Sequence, residues 1–166
     1  MPTTNDSNVI KFLFIIAFLY TSMPATTLAN DDIAKVVYHA DFADQKRFSA
    51  MLQNIFNMTT TYENDLMEYD IRIVFLSKGI RFITTDNLKG TPFEADKEFI
   101  KQRGDFIKRL SSLQSTRGIK LELCTITQEI TGVDKSKLIP GVTMVRSGVV
   151  QIAKLQSQGY AYLKVE

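Results

Sequence analysis

Polar and apolar positions along the chain fall into two alternating periods. Residues 35–39, KVVYH, are a short β-branched run that reads as a buried strand. After a polar turn at 41–44, Phe48, Met51, Leu52, Ile55 and Phe56 recur at steps of three and four. One face of a helix starting near Asp44 is therefore apolar and is expected to dock on a sheet. Residues 71–76, IRIVFL, predict a second strand, while 77–90 is ambiguous because IRFI at 80–83 reads either as a strand or as one turn of apolar helix. Thr91, Pro92 and Glu94 have the order of a helix start, with a threonine cap, proline in the first helical position and an acid three places after the cap. The helix predicted there runs to about Thr116 and stops at Gly118, burying Phe99, the stem of Arg103, Phe106, Ile107, Leu110 and Leu113. Gly104 weakens it by roughly 1 kcal/mol relative to alanine. Residues 120–124 predict a third strand. Pro140 and Gly141 mark a turn before a fourth at 142–145, Ser147 is placed to cap a helix ending at Gly159, and 160–165 closes as a fifth strand at or near an edge.

Strands and helices in this alternation predict an α/β fold: a three-layer α/β/α, flavodoxin-like domain with a mainly parallel five-stranded sheet. Ligands of such sheets collect beyond the carboxyl ends of the strands. His39 and Cys124, the one histidine and the one cysteine of the chain, both fall at that rim.

The first 29 residues read differently from the rest. Lys11 precedes an uncharged run at 12–20, FLFIIAFLY, and residues 22–29 are small and polar, with Thr27 and Ala29 before a cleavage point. This is the pattern of a signal peptide over 1–29, and it implies a periplasmic or otherwise exported protein with no stable membrane span once cut. The apolar run is short of the roughly 20 residues that cross a bilayer, although an uncleaved anchor is the alternative. Residues 30–166 then form one domain. Net charge is +2 and the lysines are scattered, so no basic stripe marks a nucleic-acid partner. No repeat, low-complexity tract, Gly-rich phosphate loop, serine triad or zinc spacing is present, and no cofactor is implied.

An exported chain with one thiol has no internal disulfide to form, so Cys124 is either an inert core atom or a chemical handle. The residues after it, Thr125, Ile126, Thr127 and Gln128, fit a capping box, which would set the thiol just before a helix N-terminus where the partial positive charge favours a thiolate. The opposite reading is equally physical, because free cysteine is among the most buried residue types. His39 is a candidate to orient or deprotonate the thiol. Asn54 and Asn57, one helical turn apart, are candidates for ligand binding near the rim, or for bonding a loop or a neighbouring subunit. Met51, Met58 and Met67 with His39 and Cys124 raise a soft-metal reading, but their spacing forms no ligand motif and no metal site is assigned. Asp41 and Asp44 fit helix capping better than paired-carboxylate catalysis.

Four segments together resemble the DsrE/DsrF-like sulfur-relay family, and more closely its exported branch: residues 36–58 (VVYHADFADQKRFSAMLQNIFNM), 71–80 (IRIVFLSKGI), 118–124 (GIKLELC) and 138–164 (LIPGVTMVRSGVVQIAKLQSQGYAYLK). The resemblance implies a homo-oligomeric α/β domain, a trimer or a dimer of trimers acting as a hexamer. In catalytic members it implies a cysteine that carries sulfur as a persulfide. It assigns that role to Cys124, and it matches His39 and the Asn54 and Asn57 pair to the branch's first strand and first helix. The loop after the cysteine departs from the branch, with Thr125, Ile126 and Thr127 where a small residue and a polar one are common. Three readings follow. One is an exported sulfur-relay protein, a possible sulfurtransferase, with a sulfur donor or acceptor protein as partner and Thr125 and Thr127 beside the reacting sulfur. The second is a non-catalytic module for a small ligand or soft metal, and the third is a structural homo-oligomer with a packed cysteine. Phe82, Ile83 and Phe93, in the connection after the second strand, are the apolar residues expected to meet a partner.

Overall fold

The computed structural model describes residues 33–166; the segment read as an export signal lies outside them. Five strands, β1 (Ala34–Ala40), β2 (Tyr69–Phe75), β3 (Lys120–Cys124), β4 (Val142–Val145) and β5 (Ala161–Leu163), make one sheet in the order β4-β3-β2-β1-β5. Every neighbouring pair is parallel. The helices are α1 (Gln45–Asn64), α2 (Lys97–Arg117), the short α3 (Thr125–Thr131) and α4 (Gly148–Ser157), with 3₁₀ turns at Ser77–Ile83 and Lys135–Lys137. This is the expected flavodoxin-like α/β arrangement, with β5 at an edge.

Strand side chains alternate between faces, and the alternation divides the core. Val36, Tyr38, Ala40, Ile71, Ile73, Phe75, Leu121 and Leu123 belong to a large cluster that also takes the buried sides of α1 and α2. Its centre is aromatic: Phe48 of α1 stacks on Phe82 at 3.7 Å, and Phe99 and Phe106 of α2 meet Phe82 edge-on at 5.2 and 5.6 Å. On the opposite face Val37 and Val74 meet Ile152, Leu155 and Tyr160 in a much smaller cluster under α4.

The ambiguous segment takes the helical alternative, as a 3₁₀ turn and not a strand. Residues Ser77–Ile83 form a 3₁₀ turn that drives Ile80, Phe82 and Ile83 into the large cluster. Gly79 is needed there, because a Cβ would stand 2.0 Å from the Ala40 carbonyl oxygen. Phe82 and Ile83 are fully buried and Phe93 packs partly against them, so the chain covers these residues itself and they are not a partner surface.

One helix start here differs from the sequence expectation. The second long helix begins at Lys97, where the Asp96 side chain accepts from the Phe99 N–H at 2.8 Å. Thr91 and Glu94 do use their capping chemistry, accepting from the Phe93 and Gly90 N–H groups, but they close a turn. Arg81 holds that turn by donating to the Phe93 and Glu94 carbonyls, which takes those groups out of reach of a helix. In α1 the apolar face is as expected except for Phe56, which is 45 % exposed with the Arg117 guanidinium over its ring, while Thr59 takes the buried place by bonding back to the Ile55 carbonyl. Asp44 caps α1 and Gly118, at φ 65°, ends α2.

Beneath α4 the sheet carries charge. Arg72 donates to Asp70 and to Glu122 at 2.9 Å, Lys120 reaches Asp70 at 2.6 Å, Tyr160 lies 3.1 Å from Arg72 Nε, and Gln151 of α4 donates to the other Glu122 oxygen at 2.9 Å. The network satisfies a carboxylate that is only 5 % exposed and ties the first turn of α4 to β3. Burial pushes the Asp70 carboxyl up, but hydrogen bonds from Arg72, Lys120 and Tyr160 together outweigh it and hold the group below the ordinary aspartate range. A depressed folded value contributes stability that is present above the unfolded value of about 3.9 and is lost as pH falls through the folded one. Urea unfolding measured from neutral pH down through that range should show Asp70→Asn less stable at neutrality, with a flatter acid limb. An unchanged slope would mean that Asp70 does not carry the dependence.

Candidate functional site

Cys124 is the last residue of β3 and the N-cap residue of α3. Alternation puts it on the α4 face with Glu122, since Leu121 and Leu123 turn to the large cluster. It pairs with Val145, and two residues beyond Val145 the chain reaches Ser147 and the start of α4. The thiol therefore lies at the carboxyl rim among the ends of β3 and β4 and the N-terminus of α4, and it is 4 % exposed.

The capping box after it does not form. Cys124 itself occupies the cap position, no side chain caps α3, and Gln128 donates forward to the Val133 carbonyl at 2.6 Å. Thr127 is buried and its hydroxyl accepts from the Ser77 N–H at 2.9 Å, so it joins α3 to the 3₁₀ turn at a residue with φ 48°. Thr125 is the first helical residue and half-buried. A helix of seven residues also has little macrodipole to offer.

His39 lies on the same face as Cys124 but not beside it. In register His39 is level with Val74, which is level with Glu122, so two strand spacings and two residues separate the histidine from the cysteine. Strand geometry makes that about 10 Å across the sheet and about 7 Å along it. The imidazole instead meets the Tyr162 hydroxyl at 3.0 Å, with Asp41 at 3.8 Å. Burial lowers its pKa, Asp41 opposes the shift, and Lys164 and Arg47 add to it. Asn54 and Asn57 are exposed on α1, across the sheet from the thiol, and Asn57 accepts from Gln53 at 2.9 Å. Met51 is fully buried in the core beneath α1. Cys124 and the start of α3 are thus brought together, whereas His39 and the asparagines are not.

The Arg72, Glu122 and Gln151 network beside this rim was not anticipated. Its trace in the sequence is a charge inside each of two strand runs, IRIVFL and LELC, at positions that share a sheet face. Given the separation of the two side chains, His39→Ala should leave the rate of Cys124 alkylation by iodoacetamide at pH 7 within about twofold of the unsubstituted protein. A tenfold loss, about 1.4 kcal/mol in the barrier, would mean that the imidazole reaches the thiol after all.

Comparisons with known proteins bear on the family and the fold. No curated protein matches the chain. A solved structure from Methanobacterium thermoautotrophicum, described as the protein of unknown function MTH1491, is similar at 26 % identity and a TM-score of 0.60, covering 79 % of this chain and 98 % of its own. The ychN protein from E. coli is similar at 17 % identity and a TM-score of 0.48, over 80 % of this chain and 99 % of its own. The family model described as DsrE/DsrF-like matches residues 16–165. With the match spanning nearly all of the described sheet and helices, the chain belongs to the DsrE/DsrF-like family.

Proposed function

We propose that this protein is an exported sulfur-relay protein that carries sulfane sulfur as a persulfide on Cys124 and passes it to an acceptor thiol. What supports this reading is the coincidence of family and position: the one cysteine of a DsrE/DsrF-like chain stands at the carboxyl end of β3, at the sheet rim where ligands of parallel α/β folds collect. In the forward step the Cys124 thiolate attacks the outer sulfur of a persulfide or polysulfide donor. A sulfur–sulfur bond forms on Cys124 and the donor's own sulfur–sulfur bond breaks, releasing the donor thiolate. In the second step an acceptor thiolate attacks the outer sulfur of the Cys124 persulfide, and Cys124 leaves as thiolate. One bond is exchanged for one bond each time, with no net oxidation. Glu122, held by Arg72 and Gln151, keeps β3 and the first turn of α4 in place around the sulfur.

The 4 % exposure of Cys124 favours a second reading, a structural protein whose cysteine is packing. Intact mass after incubation with polysulfide separates the two. The relay reading expects the gain of one sulfur atom, absent in Cys124→Ser. A native protein that takes up no sulfur, and whose thiol reacts with iodoacetamide only in denaturant, would overturn the relay and support the packed cysteine. On protein expressed with its leader the same measurement reads cleavage after Ala29.

Self-association belongs to the same proposal. Ile126 and Ile130 on α3 and Val149 and Val150 on α4 are each 50 to 64 % exposed, and both helices start at the rim beside Cys124. A second copy covering them would shield the sulfur from water. Light scattering at micromolar concentration should return a trimer or hexamer mass, and a monomer mass would overturn self-association.

A further inference from the structure

The direction of winding reverses at β1. From β1 the chain proceeds through β2 and β3 to β4 on one side, then adds β5 on the other. Ligands of open parallel sheets collect beyond the carboxyl ends of the strands. At this reversal the strands are β1, which leads into α1, and β5, which is followed by residues 164–166. Their ends bring His39, Asp41, Tyr162 and Lys164 together with Arg47 from the first turn of α1.

Two nitrogens in this crevice are buried and have no hydrogen-bond partner among the described residues: His39 Nε2 and Arg47 Nη2. His39 Nδ1 and the Tyr162 hydroxyl share one hydrogen bond whose direction depends on the tautomer, and with Tyr162 as donor the ring proton is on Nε2. Asp41, 3.8 Å from Nε2, favours that tautomer but stands too far away to accept from it. Arg47 uses Nε on the Val165 carbonyl and lays its guanidinium over the Phe42 ring at 4.0 Å, which leaves Nη2 aimed at nothing. Interiors rarely keep even one such donor, and each calls for a bound water or ion. In the tautomer that Asp41 favours both orphans are donors, and what is missing is an acceptor. Gln45 Oε1 is also unpartnered, but it lines a separate depression with Glu98 and Gln102 toward α2.

We infer that the crevice between the ends of β1 and β5 binds a small oxyanion, with Arg47 Nη2 and His39 Nε2 as its donors. The site is separate from Cys124 and does not depend on the sulfur-relay reading. A depression of about 440 Å³ adjoins Arg47 and is lined also by Asp44, Lys46, Ala50 and Glu166. Of the acids nearby, Asp44 caps α1 and Glu166 pairs with Lys164 at 3.2 Å, so Asp41 is the charge that opposes an anion. Both nitrogens are closed to water, and Val165, whose carbonyl accepts from Arg47 Nε, lies over the guanidinium side of the site.

The lone histidine supplies the probe, since its ring protons give a single set of signals in the untagged protein. Titration with sulfate, thiosulfate or acetate, at ionic strength held constant with chloride, should move those signals saturably and raise the pH midpoint of the imidazole, because a bound anion favours its charged form. Sulfate and thiosulfate acting alone would identify a tetrahedral ligand, and acetate acting alone a carboxylate. Arg47→Leu should weaken binding at least tenfold. Asp41→Asn, at a half-buried position, should strengthen it severalfold, a direction that loss of structure does not produce. A shift that follows chloride without saturating would assign the two donors to internal water and overturn the site, as would weaker binding in Asp41→Asn.

Discussion

The period-two alternation of side chains in β1, β2 and β3 is the constraint on which the rest of the molecule depends. It commits one sheet face to Val36, Tyr38, Ile71, Ile73, Phe75, Leu121 and Leu123, an apolar surface that only two long helices and the buried 3₁₀ turn can cover. The same alternation sends Arg72, Glu122, His39 and Cys124 to the other face. A slip of one residue in any of these strands would exchange the two sets, placing charges under α1 and α2. The fold is therefore specified on its apolar side, and the polar side carries whatever chemistry the chain has.

On the polar face one helix, α4, covers the middle of the sheet, and a shared carboxylate fastens it there. Glu122 takes Arg72 on one oxygen and Gln151 on the other, while Gly148 lies so close to Leu76 that a Cβ would stand 2.5 Å from its Cγ. Buried ionic groups of this kind add little net stability against an apolar equivalent, but a half-satisfied one is costly, which leaves α4 few alternative positions. The consequence is local to function, because the start of α4 forms one wall beside Cys124. Strand spacing then keeps His39 with β5 and Tyr162, so the thiol and the imidazole serve different parts of the rim.

The DsrE/DsrF-like fold thus places two chemically distinct regions on one edge of the sheet. Around Cys124 the surroundings are apolar, with Ile126, Ile130, Val149 and Val150 exposed nearby, as suits contact with another protein surface. At the end of β1 they are polar, with buried nitrogens that have no hydrogen-bond partner among the described residues. A chain can keep these apart because a parallel sheet spreads its strand ends over some tens of ångströms, each pair with its own loops.

How much of this was legible without the structure follows from the range of the interactions. Strands and helices were readable because their periodicities are local: KVVYH, IRIVFL and LELC declare strands, and the three- and four-residue steps of Phe48, Met51, Leu52 and Ile55 declare a docking helix. The alternation of these elements determined a parallel α/β sheet, and the segments around residues 36–58 and 138–164 carried the family resemblance. Tertiary contacts decided the rest. Asp96 rather than Thr91 starts α2 because Arg81, distant in sequence, occupies the carbonyls beside Glu94. Thr127 turns to Ser77 instead of completing a capping box. Phe82 and Ile83 became core because Phe48 and Phe106 arrived to enclose them. Strand order is the largest such decision. Nothing in the residues near His39 or Cys124 records that β2 lies between them, because hydrogen bonding between parallel strands is blind to side-chain identity, and only the closed sheet sets which strands are neighbours.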